Sequence, residues 1–97
     1  MIRHTAVFRL NHAAGSAAEG DFLAALAKLK AISGVQKFEI LRQVSPKSEF
    51  SFGVSMEFAD QAAYTGYNVH PEHVAFVKGR WEPEVAAFTE IDYVPLN

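Results

Sequence analysis

The sequence predicts one α+β domain spanning residues 1–97, a four-stranded antiparallel sheet with helices on one face, in the split strand and helix order of ferredoxin-like subunits. Three observations carry this reading. Two runs, Ile2–Leu10 and Phe50–Phe58, alternate apolar and polar residues at the period of a half-buried strand. Between them, Phe22, Ala25, Leu26, Leu29 and Ile32 recur at helical spacing. No repeat, low-complexity stretch or linker divides the chain.

Composition narrows the function classes. With 97 residues, 49% apolar and 12% aromatic, the chain can build a core without disulfides or a structural metal. A formal charge of -2 with 21% charged residues leaves no basic patch for nucleic acid and no polybasic arm for a membrane surface. The absence of cysteine excludes disulfides, Cys-ligated zinc and thiol catalysis. Met1 opens onto a strand-like run without a signal-peptide pattern, and no apolar run approaches a membrane span, so a soluble cytoplasmic protein is expected. The expected partners are a second copy of the chain and a small apolar or aromatic molecule.

The elements follow in order. The first strand places Ile2, His4, Ala6, Phe8 and Leu10 on one face and Arg3, Thr5, Val7 and Arg9 on the other. His4 on the apolar face must find a hydrogen bond if it is buried. Ser16 with Glu19 fits a capping box that starts the first helix, and Gly34 fits a left-handed cap after its end. Val35 to Gln43 reads as the second strand, with Val35, Lys37, Glu39 and Leu41 outward; Ser45–Ser48 is turn chemistry. The third strand, Phe50–Phe58, alternates most strictly and predicts a core of Phe22, Leu26, Leu29, Phe50, Val54, Met56 and Phe58.

Asp60 caps a second helix with Ala63, Tyr64 and Tyr67 inward, and a third helix starts at Pro71. Pro83 permits a break, and Thr89–Val94 is the last strand. Apolar residues on both faces of the first two strands predict a homodimer in which the outward sheet faces meet.

The densest chemistry lies in Tyr67–Phe76, which holds His70, Pro71 and His73. Proline suits the first helical turn and pushes His70 out of the helical region. His73 then sits near the helix start, where a cationic imidazole is disfavoured and the neutral base is favoured. His70 and His73 are three apart across a proline, not at the i, i+4 spacing of helical zinc ligands, so no metal site is expected. Glycine-rich phosphate loops and serine elbows are absent, His12 reads as solvated, and no cofactor is implied.

The opening Ile2–Leu10, the run Tyr67-x-x-His70-Pro71-x-His73-Val74-Ala75-Phe76 and the closing Ile91-Asp92-Tyr93 together resemble the stress-responsive A/B barrel domain (Dabb) family over nearly the whole chain. The resemblance implies a ferredoxin-like subunit paired into a dimeric α/β barrel. In a plant polyketide cyclase of this family, a histidine and a tyrosine close an aldol ring in a cavity between sheet and helices. They match His73 and Tyr67, and a further pocket histidine matches His4. The chain departs from that pattern at Phe52 and Ala25, where the cyclase has a histidine and a tyrosine.

An aldol-type closure needs a base for an acidic proton beside a carbonyl and a donor for the enolate oxygen. His73 and Tyr67 supply both if the second helix ends near Val69 and the chain turns. His4, Phe22, Phe52, His70 and Phe76 are the expected substrate wall. The competing reading has His70 capping a helix, His73 bonded to a backbone carbonyl and Tyr67 packing with its hydroxyl in water. The first reading predicts a cofactor-independent cyclase or lyase; the second leaves a ligand-binding or stress-responsive dimer without catalysis.

Overall fold

Side-chain caps fix where the first helices begin. The Ser16 hydroxyl accepts the Glu19 amide at 3.2 Å, while the Glu19 carboxylate takes the Gly15 amide, one residue earlier than a regular capping box. Asp60 accepts the Ala63 amide at 2.9 Å. The computed structural model covers all 97 residues. Strand β1 is Ile2–Leu10 and helix α1 is Ala17–Ala27, which tightens into a 3-10 turn over Lys28–Ala31. Gly34 then adopts φ 92, the left-handed geometry expected after the helix. Strands β2 (Gln36–Arg42) and β3 (Phe52–Phe58) precede helices α2 (Gln61–Asn68) and α3 (Pro71–Phe76). A π-helical turn, Val77–Trp81, and a last helical turn, Glu82–Glu84, lead into β4 (Val85–Tyr93).

The sheet order is β2-β3-β1-β4 with every pair antiparallel, the ferredoxin-like topology. Register puts His4, Ala6 and Phe8 level with Met56, Val54 and Phe52 on one side and with Asp92, Glu90 and Phe88 on the other. Period-two alternation turns all of these toward the helices. Phe8, Phe22 and Phe58 are fully buried in the core that results. Phe8 is its hub, with ring centroids 6.0 Å from Phe22, 5.6 Å from Phe52 and 5.0 Å from Trp81.

Four expectations are corrected. Phe50 lies before β3 and outside the core cluster, and Phe52 takes its place. Val35 packs against the core instead of facing outward, because a bulge between Gln36 and Glu39 shifts the register. Within that bulge Lys37 holds φ 49, a left-handed conformation unusual for a side-chain-bearing residue. Strand β4 starts at Val85, four residues ahead of Thr89, since pairing with the end of β1 recruits two alanines of weak strand preference. His12 is half-buried and its Nε2 lies 2.7 Å from Glu84, so it is paired, not solvated. Arg80 bonds the same Glu84 and also Asp21, tying the last helical turn to α1.

The opposite sheet face forms three rows across the strands: Leu41, Gly53, Val7 and Thr89; Glu39, Ser55, Thr5 and Ile91; Gln36, Glu57, Arg3 and Tyr93. Arg3, hydrogen-bonded to the Glu57 carboxylate, holds its pKa below the ordinary value against the opposing effect of desolvation. Leu41, Ile91 and Tyr93 stay exposed on this face although they are large and apolar.

The α1 stripe anchors the helix layer, and Leu26 is only 2% exposed. Leu26→Ala should therefore destabilise the domain by about 2–5 kcal/mol in denaturant unfolding. A change near zero would show that this helix face contributes no core.

Candidate functional site

The site is assembled by the break between α2 and α3. Pro71 begins α3, and His70, at its N-cap, accepts the Glu72 amide on Nδ1 at 3.1 Å. The His70 amide in turn donates to the Tyr67 carbonyl at 3.1 Å, so the chain reverses within one turn. This folds His73 back onto α2, where its Nδ1 lies 3.2 Å from the Asn68 carbonyl and its ring 4.2 Å from that of Tyr67. A carbonyl only accepts, so Nδ1 carries the proton and Nε2 keeps its lone pair. Nε2 has no hydrogen-bond partner in the chain. Burial holds the His73 pKa below the ordinary 6.5, and the bond to Asn68 offsets it only in part. Neutrality was expected from the helix start; in the structure desolvation is the leading cause.

Tyr67 is 2% exposed, yet its hydroxyl bonds no protein atom. No sealed side-chain polar atom is left unpaired, so the hydroxyl meets the cavity its residue lines. Burial first and the nearby Glu90 charge second raise the Tyr67 pKa, which keeps the O–H a donor.

His4 finds its required partners across the sheet. Its Nδ1 lies 2.7 Å from Asp92 Oδ1 and 2.9 Å from the Tyr64 hydroxyl, and that hydroxyl donates to Asp92 Oδ2 at 2.8 Å. The acceptor-only carboxylate places a proton on Nδ1 and leaves Nε2 as the free nitrogen of a ring that also lines the cavity. His4, Glu90 and Asp92 offer three donor atoms within 4.8 Å of one another. The His4 contacts to Asp92 and Tyr64 have hydrogen-bond lengths and are accounted for by protons alone.

The cavity encloses about 540 Å³ between the sheet and the helices. Its apolar wall includes Leu26, Leu29, Val54, Met56, Phe76 and Trp81, and its polar end gathers His4, Tyr67, Asn68, His73 and Glu90. Of the expected site residues, the fold thus brings together His4, Tyr67, His73 and Phe76. Phe22 and Phe52 instead point into the Phe8 core, and His70 is used as a helix cap; none of the three lines the cavity.

The sequence profile of the stress-responsive A/B barrel domain matches residues 2–95. The chain belongs to this family. A Dabb-family protein of ferredoxin-like fold from Mesorhizobium loti is 64% identical, with a TM-score of 0.98 over 99% of this chain and 97% of its own. A dimeric ferredoxin-like protein of unknown function from Thermobifida fusca is 23% identical, with a TM-score of 0.80 over 97% and 90%. The hydroxynitrile lyase of Passiflora edulis shares the fold at 16% identity, with a TM-score of 0.83 over 99% and 94%. No curated protein matches in sequence.

Sequence reasoning had placed Tyr64 only as packing and had assigned Asn68, Trp81, Glu90 and Asp92 no part in this Dabb cavity. The signal for two of them was available in outline: Glu90 and Asp92 alternate on the last strand, and pairing that strand with β1 sets Asp92 opposite His4.

The depressed His73 pKa gives a pH signature. The folded state binds fewer protons than the unfolded chain, so the contribution of neutral His73 is complete above pH 6.5 and shrinks as pH falls below it toward the folded pKa. An NMR titration of the His73 ring should give a midpoint below 6.5. A midpoint at or above that value would contradict the buried, neutral imidazole.

Proposed function

We propose that this Dabb protein is a small-molecule enzyme of the cyclase or lyase type that works by cofactor-independent proton transfer. The observation that carries it is the pairing, in one cavity, of two groups that have no protein partner. His73 Nε2 is a free lone pair on a ring kept neutral by burial, and the Tyr67 hydroxyl is a free donor beside it. The base removes a proton next to a carbonyl, so that the enolate carbon attacks a second carbonyl whose oxygen takes the proton back. Or it removes the proton of a hydroxyl, whose oxygen becomes a carbonyl as the adjacent carbon–carbon bond breaks and the departing carbanion takes the proton from the imidazolium. Tyr67 stabilises the oxygen that gains charge, and His4 forms the facing polar wall. The apolar wall, ending in Phe76, suits an aryl or alkyl group. The shared fold of a hydroxynitrile lyase is consistent with this class of chemistry and assigns no substrate.

His73 bonding a carbonyl and His70 capping a helix match the non-catalytic reading as well. The Tyr67 hydroxyl, without a protein partner and open to the cavity, favours a site that receives a polar ligand atom over a filled structural core.

A screen of cyanohydrins and poly-β-keto thioesters, followed by variants on any substrate turned over, tests the assignment. His73→Ala should abolish turnover with a melting temperature within a few degrees of the parent. Tyr67→Phe should lower kcat by roughly a hundredfold or more. Full activity in His73→Ala, or its unfolding, would make the residue structural.

The same reading includes a homodimer. Leu41, Ile91 and Tyr93 leave an apolar surface on the sheet face away from the helices, and the Thermobifida fusca neighbour is dimeric. Two such faces packed together remove that surface from water. Sedimentation at micromolar concentration should give twice the chain mass; a monomer would leave the exposure of Leu41, Ile91 and Tyr93 unexplained.

A further inference from the structure

We infer that Glu90 makes the cavity selective for uncharged carbonyl compounds and against analogues that carry a carboxylate. The inference rests on the proposed site but concerns what that site admits. The charged side chains on the cavity wall are Glu82 and Glu90, and neither lysine nor arginine contributes to it. Asp92 stands directly behind His4, 2.7 Å from its Nδ1. The polar end therefore carries carboxylates with no fixed cation to balance them.

Glu90 occupies the decisive position among these. It lies opposite Ala6 in the β1–β4 register, on the sheet face that turns to the helices. Its Oε1 is 3.5 Å from the Tyr64 hydroxyl and 3.9 Å from His4 Nδ1, both longer than a strong hydrogen bond. Tyr64 and His4 already spend their short hydrogen bonds on Asp92. Glu90 thus keeps acceptor capacity facing the cavity that Tyr67 and His73 also line. The neighbouring imidazoles direct their Nδ1 atoms elsewhere, His73 to the Asn68 carbonyl and His4 to Asp92.

A substrate entering with its carbonyl toward Tyr67 brings its neighbouring substituents close to Glu90. A hydroxyl or other donor there gains an acceptor, whereas a carboxylate meets a like charge on a half-exposed side chain, where salt screens the repulsion. The apolar wall asks for an aryl or alkyl body. The substrate class that fits both ends is a neutral aryl or alkyl carbonyl compound, with a hydrogen-bond donor tolerated near the reacting carbon. A product bearing a carboxylate would be expelled by the same charge.

Three naphthalene probes of one size test this by calorimetric titration at pH 7.5 in low salt: 1-naphthaldehyde, 1-naphthoate and 1-naphthylmethylammonium. The aldehyde should bind, and the carboxylate should bind at least about tenfold more weakly. Glu90→Gln should bring the carboxylate to within about threefold of the aldehyde while changing the aldehyde little, and added salt should narrow the gap in the parent. The ammonium probe should lose affinity in the same variant. Equal binding of aldehyde and carboxylate by the parent, an unchanged ratio in Glu90→Gln, or no binding of the aldehyde would each overturn the inference. The discrimination should persist in His73→Ala, so that a failure of the catalytic assignment is read separately from a failure of this one.

Discussion

A proline between two short helices sets the geometry of the site. Pro71 has no amide hydrogen and cannot extend α2, so the chain leaves that helix at Asn68 and restarts with His70 as cap. The reversal exposes the Asn68 carbonyl at a helix end, where it has no intrahelical donor to satisfy it. His73 supplies the donor through Nδ1, and that single bond both fixes the tautomer and lays the ring on Tyr67. The same contact satisfies the helix end and orients the imidazole. The readings that opposed a capping role to a catalytic role for this run are therefore not exclusive: His70 caps, and its capping is what delivers His73 to the cavity.

The second constraint is the pairing of the two terminal strands. His4 and Asp92 are 88 positions apart and directly opposite in register. Burial of His4 at 9% exposure obliges it to find a partner, and β4 supplies Asp92 with Tyr64 reaching from α2. The cavity floor is consequently rigid on the sheet side, whereas its rim is built from short pieces: a π-helical turn, one helical turn and the start of β4. Glu84 pins that rim, bonding Arg80 and His12, and its carboxyl is held below the ordinary pKa chiefly by the Arg80 hydrogen bond. π turns recur at functional sites because the extra residue re-aims side chains, and here Trp81 follows from it onto both Phe8 and Phe88.

Patterns that act over a few residues were legible in the chain. Alternation in Ile2–Leu10 and across β3 gave the inner strand faces, and Ser16, Asp60 and Pro71 marked helix starts because each satisfies or removes an amide within three positions. The same locality explains what was missed. Val35 belongs to the core because a bulge at Lys37 moves the register, and nothing in a Lys-Phe-Glu run announces a left-handed lysine. Phe22 and Phe52 were apolar in the right places for a pocket wall, but they pack around Phe8 and leave the cavity wall to other residues, Phe76 and Trp81 among them.

By itself the sequence determined the order of strands and helices along the chain and the helix that starts at Pro71, and it made the convergence of Tyr67 and His73 conditional on a turn near Val69 that the structure supplies. These follow from dihedral limits and side-chain periodicity, which each residue carries wherever it is placed. Only the tertiary structure decided which groups face one another: Asp92 against His4, Glu84 against His12, and Glu90 at the mouth of the polar end. Such partnerships depend on strand register and on how helices settle over a sheet, and both are fixed by the packing of the whole core, not by any local run of residues.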